Sequence, residues 1–226
     1  MVKTEALRRI ANGGVIPVVR APSGEDALHV IEALREGGVD VIELTMTVPG
    51  ALKVIEELAR RYRDTIVLGA GTVLDSETAR ACILAGAAFV VSPMLDETII
   101  TCCRTYGVAV MPGALTPTEI VRAWRAGADM VKVFPCGAMG GPAYVKSLKA
   151  PLPQIDLVPT GGVTLATVGD LIRAGASAVG AGGDLVDVSM ARIGNSGAVS
   201  QNARKYLNAV KAARDSAQQP KDSASL

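Results

Sequence analysis

Two hydrophobic periods alternate along the chain. Short continuous apolar runs are separated by longer stretches in which apolar residues return every three or four positions. The continuous runs fall near 15–20, 39–45, 65–70, 88–92, 108–112, 130–134, 156–160 and 177–181. Such runs suit parallel strands buried on both faces. Between them, Ala27, Val30, Ile31 and Leu34 take helical spacing, as do Ala51, Val54, Ile55 and Leu58. Ser76 with Glu77, and Thr116 with Glu119, read as helix starts, the latter with capping-box spacing. A weak repeat reinforces the reading. LREGGVDVIE (34–43), LAGAAFVVS (84–92), WRAGADMVKV (124–133) and LIRAGASAVG (171–180) each end a helix in glycine and enter a strand at once.

Eight strand–helix units predict a (β/α)8 TIM barrel of the α/β class, with an extra N-terminal helix near 4–11 plugging its bottom. A doubly wound open sheet is the alternative that the pattern leaves open. One domain is expected over 1–215, followed by a polar, disordered tail over 216–226.

The 226 residues fit one such domain, with 49% hydrophobic and 20% charged residues. Aromatics are 3% and the formal charge is +1, without a basic stripe, so neither nucleic acid nor an anionic membrane is an expected partner. Cys82, Cys102, Cys103 and Cys136 form no Cys-x-x-Cys pair and read as small buried hydrophobes in a reducing compartment. The first residues lack an apolar signal core, which fits a cytoplasmic protein. The lone histidine, His29, falls on the polar side of its helix. With no histidine cluster, neither a zinc site nor a serine-hydrolase triad is expected.

In this fold, chemistry sits at the carboxyl ends of the strands. The polar residues expected there are Arg20, Glu43, Thr45, Thr47, Thr72, Ser92, Lys132, Thr160 and Asp184. Lys132 stands out. The other seven of the eight lysines lie in helical or tail contexts, but Lys132 interrupts the apolar run Met130-Val131-Lys132-Val133-Phe134. Loss of hydration disfavours an ammonium, and a neutral amine can attack a carbonyl. Glu43 follows Gly38 by the same five positions that separate Lys132 from Gly127. If the repeats superpose, the two occupy equivalent places on the second and sixth strands and share one interior layer. A carboxylate there could shuttle protons. A plain buried ion pair would explain the same two residues. Gly161-Gly162 and Gly182-Gly183 follow the last two strands, where barrels often hold phosphate through backbone N–H groups. Asp184 either adds negative charge beside them or caps the next helix.

Together, IELTMTVPGA (42–51), GAGTVL (69–74), VVSP (90–93), MPGALTPTE (111–119), VKVFP (131–135) and PTGGV (159–163) resemble the 2-keto-3-deoxy-6-phosphogluconate and 4-hydroxy-2-oxoglutarate aldolases over about residues 5 to 190. The resemblance implies a class I aldolase without metal or organic cofactor, usually a homotrimer, acting on a small 2-keto acid. It implies that Lys132 forms a Schiff base with pyruvate and that Glu43 shuttles protons. It also implies that Thr72 helps hold the pyruvate carboxylate, that Pro93, Phe134 and Thr160 line the pocket, and that Gly161 and Gly162 bind phosphate. Two departures stand out. Thr47 replaces an arginine that many members use for the carboxylate, a task Arg20 could take over. Gly183 replaces a serine in the last turn, which costs one hydroxyl donor to the phosphate. An unphosphorylated substrate then becomes a possible preference. The alternatives are the phosphogalactonate-specific aldolase, a phosphosugar isomerase or synthase on the same barrel, and a non-catalytic trimeric metabolite binder.

Overall fold

The computed structural model describes residues 1–192 and 195–218. Strands and helices alternate. The order is α1 (Lys3–Gly13), β1 (Val15–Val19), α2 (Gly24–Glu36), β2 (Val41–Thr45), α3 (Ala51–Tyr62) and β3 (Val67–Gly71). Next come α4 (Ser76–Leu84), β4 (Phe89–Val91), α5 (Glu97–Thr105), β5 (Ala109–Met111), β6 (Gly113–Ala114), α6 (Pro117–Ala126) and β7 (Val131–Val133). The chain continues through α7 (Pro142–Lys149), β8 (Leu157–Pro159), α8 (Val168–Arg173), β9 (Val179–Ala181), α9 (Val188–Arg192) and α10 (Ser196–Gln218).

The strands form a curled parallel sheet clad in helices. One ladder runs β5-β4-β3-β2-β1-β9 and a second β6-β7-β8. The fifth apolar run, expected as a strand near 108–112, forms β5 as far as Met111, and Pro112, which offers no N–H to the ladder, separates it from the short β6. The carbonyl of Pro112 still accepts from Lys132 N at 3.0 Å, and Asp129 N donates to Val110 O. At the other edge, Ser177 N donates to Leu157 O, and Thr160 bridges Gly180.

Side chains alternate across each strand. The outward set packs under the helices as one large cluster, with Ala27, Val30, Ile31 and Leu34 of α2 and Val54, Ile55 and Leu58 of α3. The inward set forms a second cluster of Ile16, Val41, Val67, Phe89, Ala109, Met130, Val158 and Ala178, closed from below by Ala6 and Ile10 of α1. Ionic contacts hold α1 in place: Lys3 pairs with Asp129 at 2.6 Å and Arg9 with Asp40 at 2.6 Å.

The expected glycine caps form. Gly38, Gly86, Gly127 and Gly175 all have positive φ, between 91° and 109°. Thr116 and Glu119 make the capping box. The expected helix start at Ser76 opens α4, capped by Asp75, whose carboxylate accepts from Thr78 N. The C-terminal helix runs through Gln218, past the expected start of a disordered tail at 216, because Val210 and Ala213 still bury against the body. The remainder of that tail lies outside the described residues. Among the described residues no helix is long and apolar enough to cross a membrane.

Candidate active site

Few polar groups are buried, and they cluster. Among the described residues the buried polar side chains are Glu43, Thr45, Ser92, Lys132, Thr160 and Ser200. All but Ser200 lie within or just past β2, β4, β7 and β8. Thr45, Ser92 and Thr160 each donate to a backbone carbonyl. The two charged ones are not paired off in this way.

Glu43 is 2% exposed, and its Oε1 has no hydrogen-bond partner. An orphaned buried acceptor costs about 1–3 kcal/mol, more when charged. Ladder register explains how the side chain fits. Glu43 pairs with Val18 on one side and Gly69 on the other, and Thr45 pairs with Gly71. A β-carbon on Gly71 would overlap the Glu43 carboxylate, and one on Gly69 would overlap the Phe89 ring. The alternate glycines of GAGTVL therefore make room for a carboxylate and for an aromatic wall beside it.

Lys132 is 3% exposed, at the centre of β7 between Gly113 and Val158. Its Nζ lies 5.2 Å from the centroid of the Phe134 ring. Among the described residues no ion pair joins it to Glu43 or to any other carboxylate. The plain buried ion pair is thus not what the two residues form. Each occupies the inward face of its strand, as the matched repeat spacing predicts.

The other expected residues form the rim. Phe134, half-buried, stands between Lys132 and the first glycine turn, since a β-carbon on Gly161 would meet its ring at 3.3 Å. Thr160 fills the space over Gly180, and the Pro93 backbone fills that over Gly113. Thr72 is half-buried at φ 57°, an unusual conformation for a β-branched residue. Gly161 and Gly162 both have positive φ, and the Gly161 carbonyl accepts from Gly137 N at 2.8 Å. Arg20 is exposed, with its Nη1 3.6 Å from where a β-carbon of Gly182 would sit. It lies beside the second glycine turn and pairs with no carboxylate among the described residues.

Thr47 is exposed and tied to Thr45. Thr45 Oγ1 donates to Val19 O at 3.0 Å, so in its 2.7 Å contact with Thr47 the proton must come from Thr47. Thr47 then presents lone pairs to the mouth, a poor match for a carboxylate. Asp184 does not cap α9, which begins at Val188. Its Oδ2 accepts from Leu165 N and from the Tyr206 phenol. His29 is exposed, and among the described residues no group of three or more His, Cys, Asp or Glu gathers to hold a metal. The spacing glycines Gly69 and Gly113 were not singled out as site-shaping by sequence. The signal available was their inward parity relative to Glu43 and Lys132.

Fold and site together define an α/β protein with an amine and a carboxylate buried on its parallel strands, with no ion pair between them among the described residues. The family model described as KDPG and KHG aldolase matches residues 7–202, and the chain belongs to that family. A 2-dehydro-3-deoxy-phosphogluconate aldolase of Treponema pallidum is 38% identical over 74% of this chain and 78% of its own length. A crystal structure of KDPG aldolase from Legionella pneumophila, with pyruvate captured as a covalent carbinolamine intermediate, superposes with a TM-score of 0.81. It shares 28% identity, over 88% of this chain and 96% of that one. A cube-shaped protein cage designed by fusing symmetric oligomeric domains gives a TM-score of 0.85 at 31% identity, over 92% of this chain and 76% of that one.

Proposed function

We propose that the protein is a class I aldolase that reversibly cleaves a 2-keto-4-hydroxy acid into pyruvate and an aldehyde. Glyceraldehyde 3-phosphate and glyoxylate are the aldehydes expected from the two substrates named for the family. The observation that carries this reading is Lys132, an inward-facing strand lysine with 3% exposure and no carboxylate partner among the described residues. The carbinolamine in the Legionella relative supports an amine of this kind as the nucleophile.

The chemistry follows from the groups at hand. The neutral amine of Lys132 adds to the C2 carbonyl, and loss of water from the carbinolamine gives an iminium. Glu43 takes the proton of the C4 hydroxyl. The C3–C4 bond breaks, its electrons pass into the iminium, and the aldehyde leaves. The enamine is then protonated at C3, and water releases pyruvate and restores the amine. The lysine is the electron sink, so no cofactor is needed. Phe134, Pro93 and Thr160 line the pocket, and Thr72 contributes to the carboxylate site. Arg20, beside Gly182, supplies positive charge where the turns at 161–162 and 182–183 receive the far end of the substrate. Gly182 O accepts from Leu185 N and Val186 N, which leaves the N–H groups of Gly183 and Asp184 at the open start of that turn.

We also infer that the sheet closes as a (β/α)8 barrel in which β5 and β6 are one interrupted strand, supported by the bonds across both ladder edges. A homotrimer is supported by the symmetric oligomeric domains of the designed cage and by the exposed Leu52, Leu74 and Met94, which follow the adjacent strands β2, β3 and β4. A phosphosugar isomerase or synthase would use the glycine turns but leave the buried amine and carboxylate without a task.

Borohydride reduction in the presence of pyruvate tests the reading. A pyruvate-derived mass should attach to the peptide carrying Lys132. Lys132→Ala should lose both the label and at least about 10³-fold in rate. Equal labelling of that variant would end the assignment.

A further inference from the structure

One carboxylate ties the two glycine turns together. Asp184 directly follows Gly182-Gly183. Its Oδ2 accepts from the backbone N–H of Leu165 at 3.0 Å, in the loop that begins with Gly161 and Gly162. The same oxygen accepts from the Tyr206 phenol of α10, a side chain with 0% exposure. Asn202, one turn earlier on α10, donates through Nδ2 to the Asp184 carbonyl at 2.7 Å.

The turns need such an anchor. Gly161 and Gly162 sit at positive φ and carry no side chain that could be packed. Nothing lies within 4 Å of where a β-carbon of Gly183 would be. The second turn has no side chain of its own to pack, and the nearest side chain that grips another loop is that of Asp184. A carboxylate with two donors is held against Leu165 and Tyr206, and it has no attraction for a phosphate. Burial first, then the bond to Asp184 and its charge, push the Tyr206 phenol up, so it stays protonated and able to donate.

We propose that Asp184 and Tyr206 form a clasp, run from the C-terminal helix, that sets the spacing of the two turns and so positions the phosphate end of the substrate. They are positioning residues, and their role rests on the phosphate reading above. A misplacement of about 1 Å in a binding group can cost up to about a hundredfold, and loosening a clasp one bond removed should cost less.

Asp184→Ala, Asp184→Asn and Tyr206→Phe, each in the full chain, test this. KM for the 6-phosphorylated 2-keto-3-deoxy acid should rise about tenfold in Asp184→Ala and Tyr206→Phe, with kcat within about threefold. KM for 4-hydroxy-2-oxoglutarate should move less than about twofold. Asp184→Asn keeps an oxygen for Leu165 and Tyr206 and should recover most of the loss. Equal rises for both substrates would reduce the clasp to general structure and overturn the proposal. A fall in KM for the phosphorylated acid would make Asp184 an opposing charge, and would overturn it as well. Calorimetry with inorganic phosphate gives a readout independent of cleavage: the wild type should bind, and Tyr206→Phe should bind about tenfold more weakly. If the wild type cleaves neither acid yet this phosphate result holds, the aldolase reading fails and the clasp stands. If the wild type binds no phosphate, the clasp falls.

Discussion

The floor and the mouth of the curled sheet are lined by the same strands with opposite contents. Along β1 the inward side chains run Ile16 then Val18. Along β2 they run Val41 then Glu43, through β7 Met130 then Lys132, and through β8 Val158 then Thr160. The lower members join α1 in an apolar cluster with no polar group to satisfy. Two residues further on, a single step of the strand period, lie a carboxylate oxygen and a lysine that have no hydrogen-bond partner and no counter-ion, respectively, among the described residues. Burying such groups costs several kcal/mol that no local bond returns. The floor and the outer cluster supply the stability that lets the mouth keep groups in so unfavourable a state. Position along a strand, rather than choice of strand, divides stability from chemistry.

Truncating the floor should separate the two roles most sharply. Ile16 is 1% exposed, and Ile16→Ala should cost about 2–5 kcal/mol of unfolding free energy. Activity per folded molecule should stay near that of the wild type. Urea denaturation and active-site titration with pyruvate and borohydride measure the two quantities. A large loss of turnover in protein that remains folded would show that the floor also shapes the site. The reverse change is smaller. Lys132→Met replaces an unpaired buried amine with an apolar chain of similar length, and should abolish turnover while raising stability by about 1–3 kcal/mol. A loss of stability instead would mean that Lys132 has a structural partner.

The contrast was only half legible in the sequence. Strand positions were readable because continuous apolar runs bounded by glycine caps have few other uses. Lys132 was readable because it breaks such a run, and Glu43 because its distance from Gly38 copies that of Lys132 from Gly127. What escaped depends on register and on contacts between distant elements. Gly69 and Gly71 make space for Phe89 and Glu43 only once β2, β3 and β4 are aligned. The Thr45–Thr47 contact reverses what a hydroxyl at 47 offers, a matter of which oxygen holds the proton. Asp184 and Tyr206 lie 22 positions apart and meet only because α10 packs back over the last turn. Pro112 was legible as the end of the fifth strand, but the short β6 beyond it pairs with β7 and falls outside any apolar run.

The outer cluster also buries titratable groups, its thiols, and alkaline pH should expose them. Burial pushes the thiols of Cys82 and Cys136 up to about 11 and that of Cys103 up to about 12, from an ordinary value of 9.0. These groups fold as neutral hydrophobes packed in the outer cluster. The sign follows from proton counting. Above pH 9 the unfolded chain releases thiol protons that the folded chain keeps, so the unfolded state is favoured as pH rises. The contribution is fully present below pH 9 and is lost as pH climbs through the raised values; Tyr206, also shifted up, adds to the loss at still higher pH. Urea midpoints measured from pH 8 to pH 10.5 should therefore fall. Cys82→Ala, which removes one of the three thiols, should take away about a third of that slope over the same range. A midpoint that holds level to pH 10.5 would mean that water reaches the thiols. The outer cluster would then be looser than the floor it surrounds.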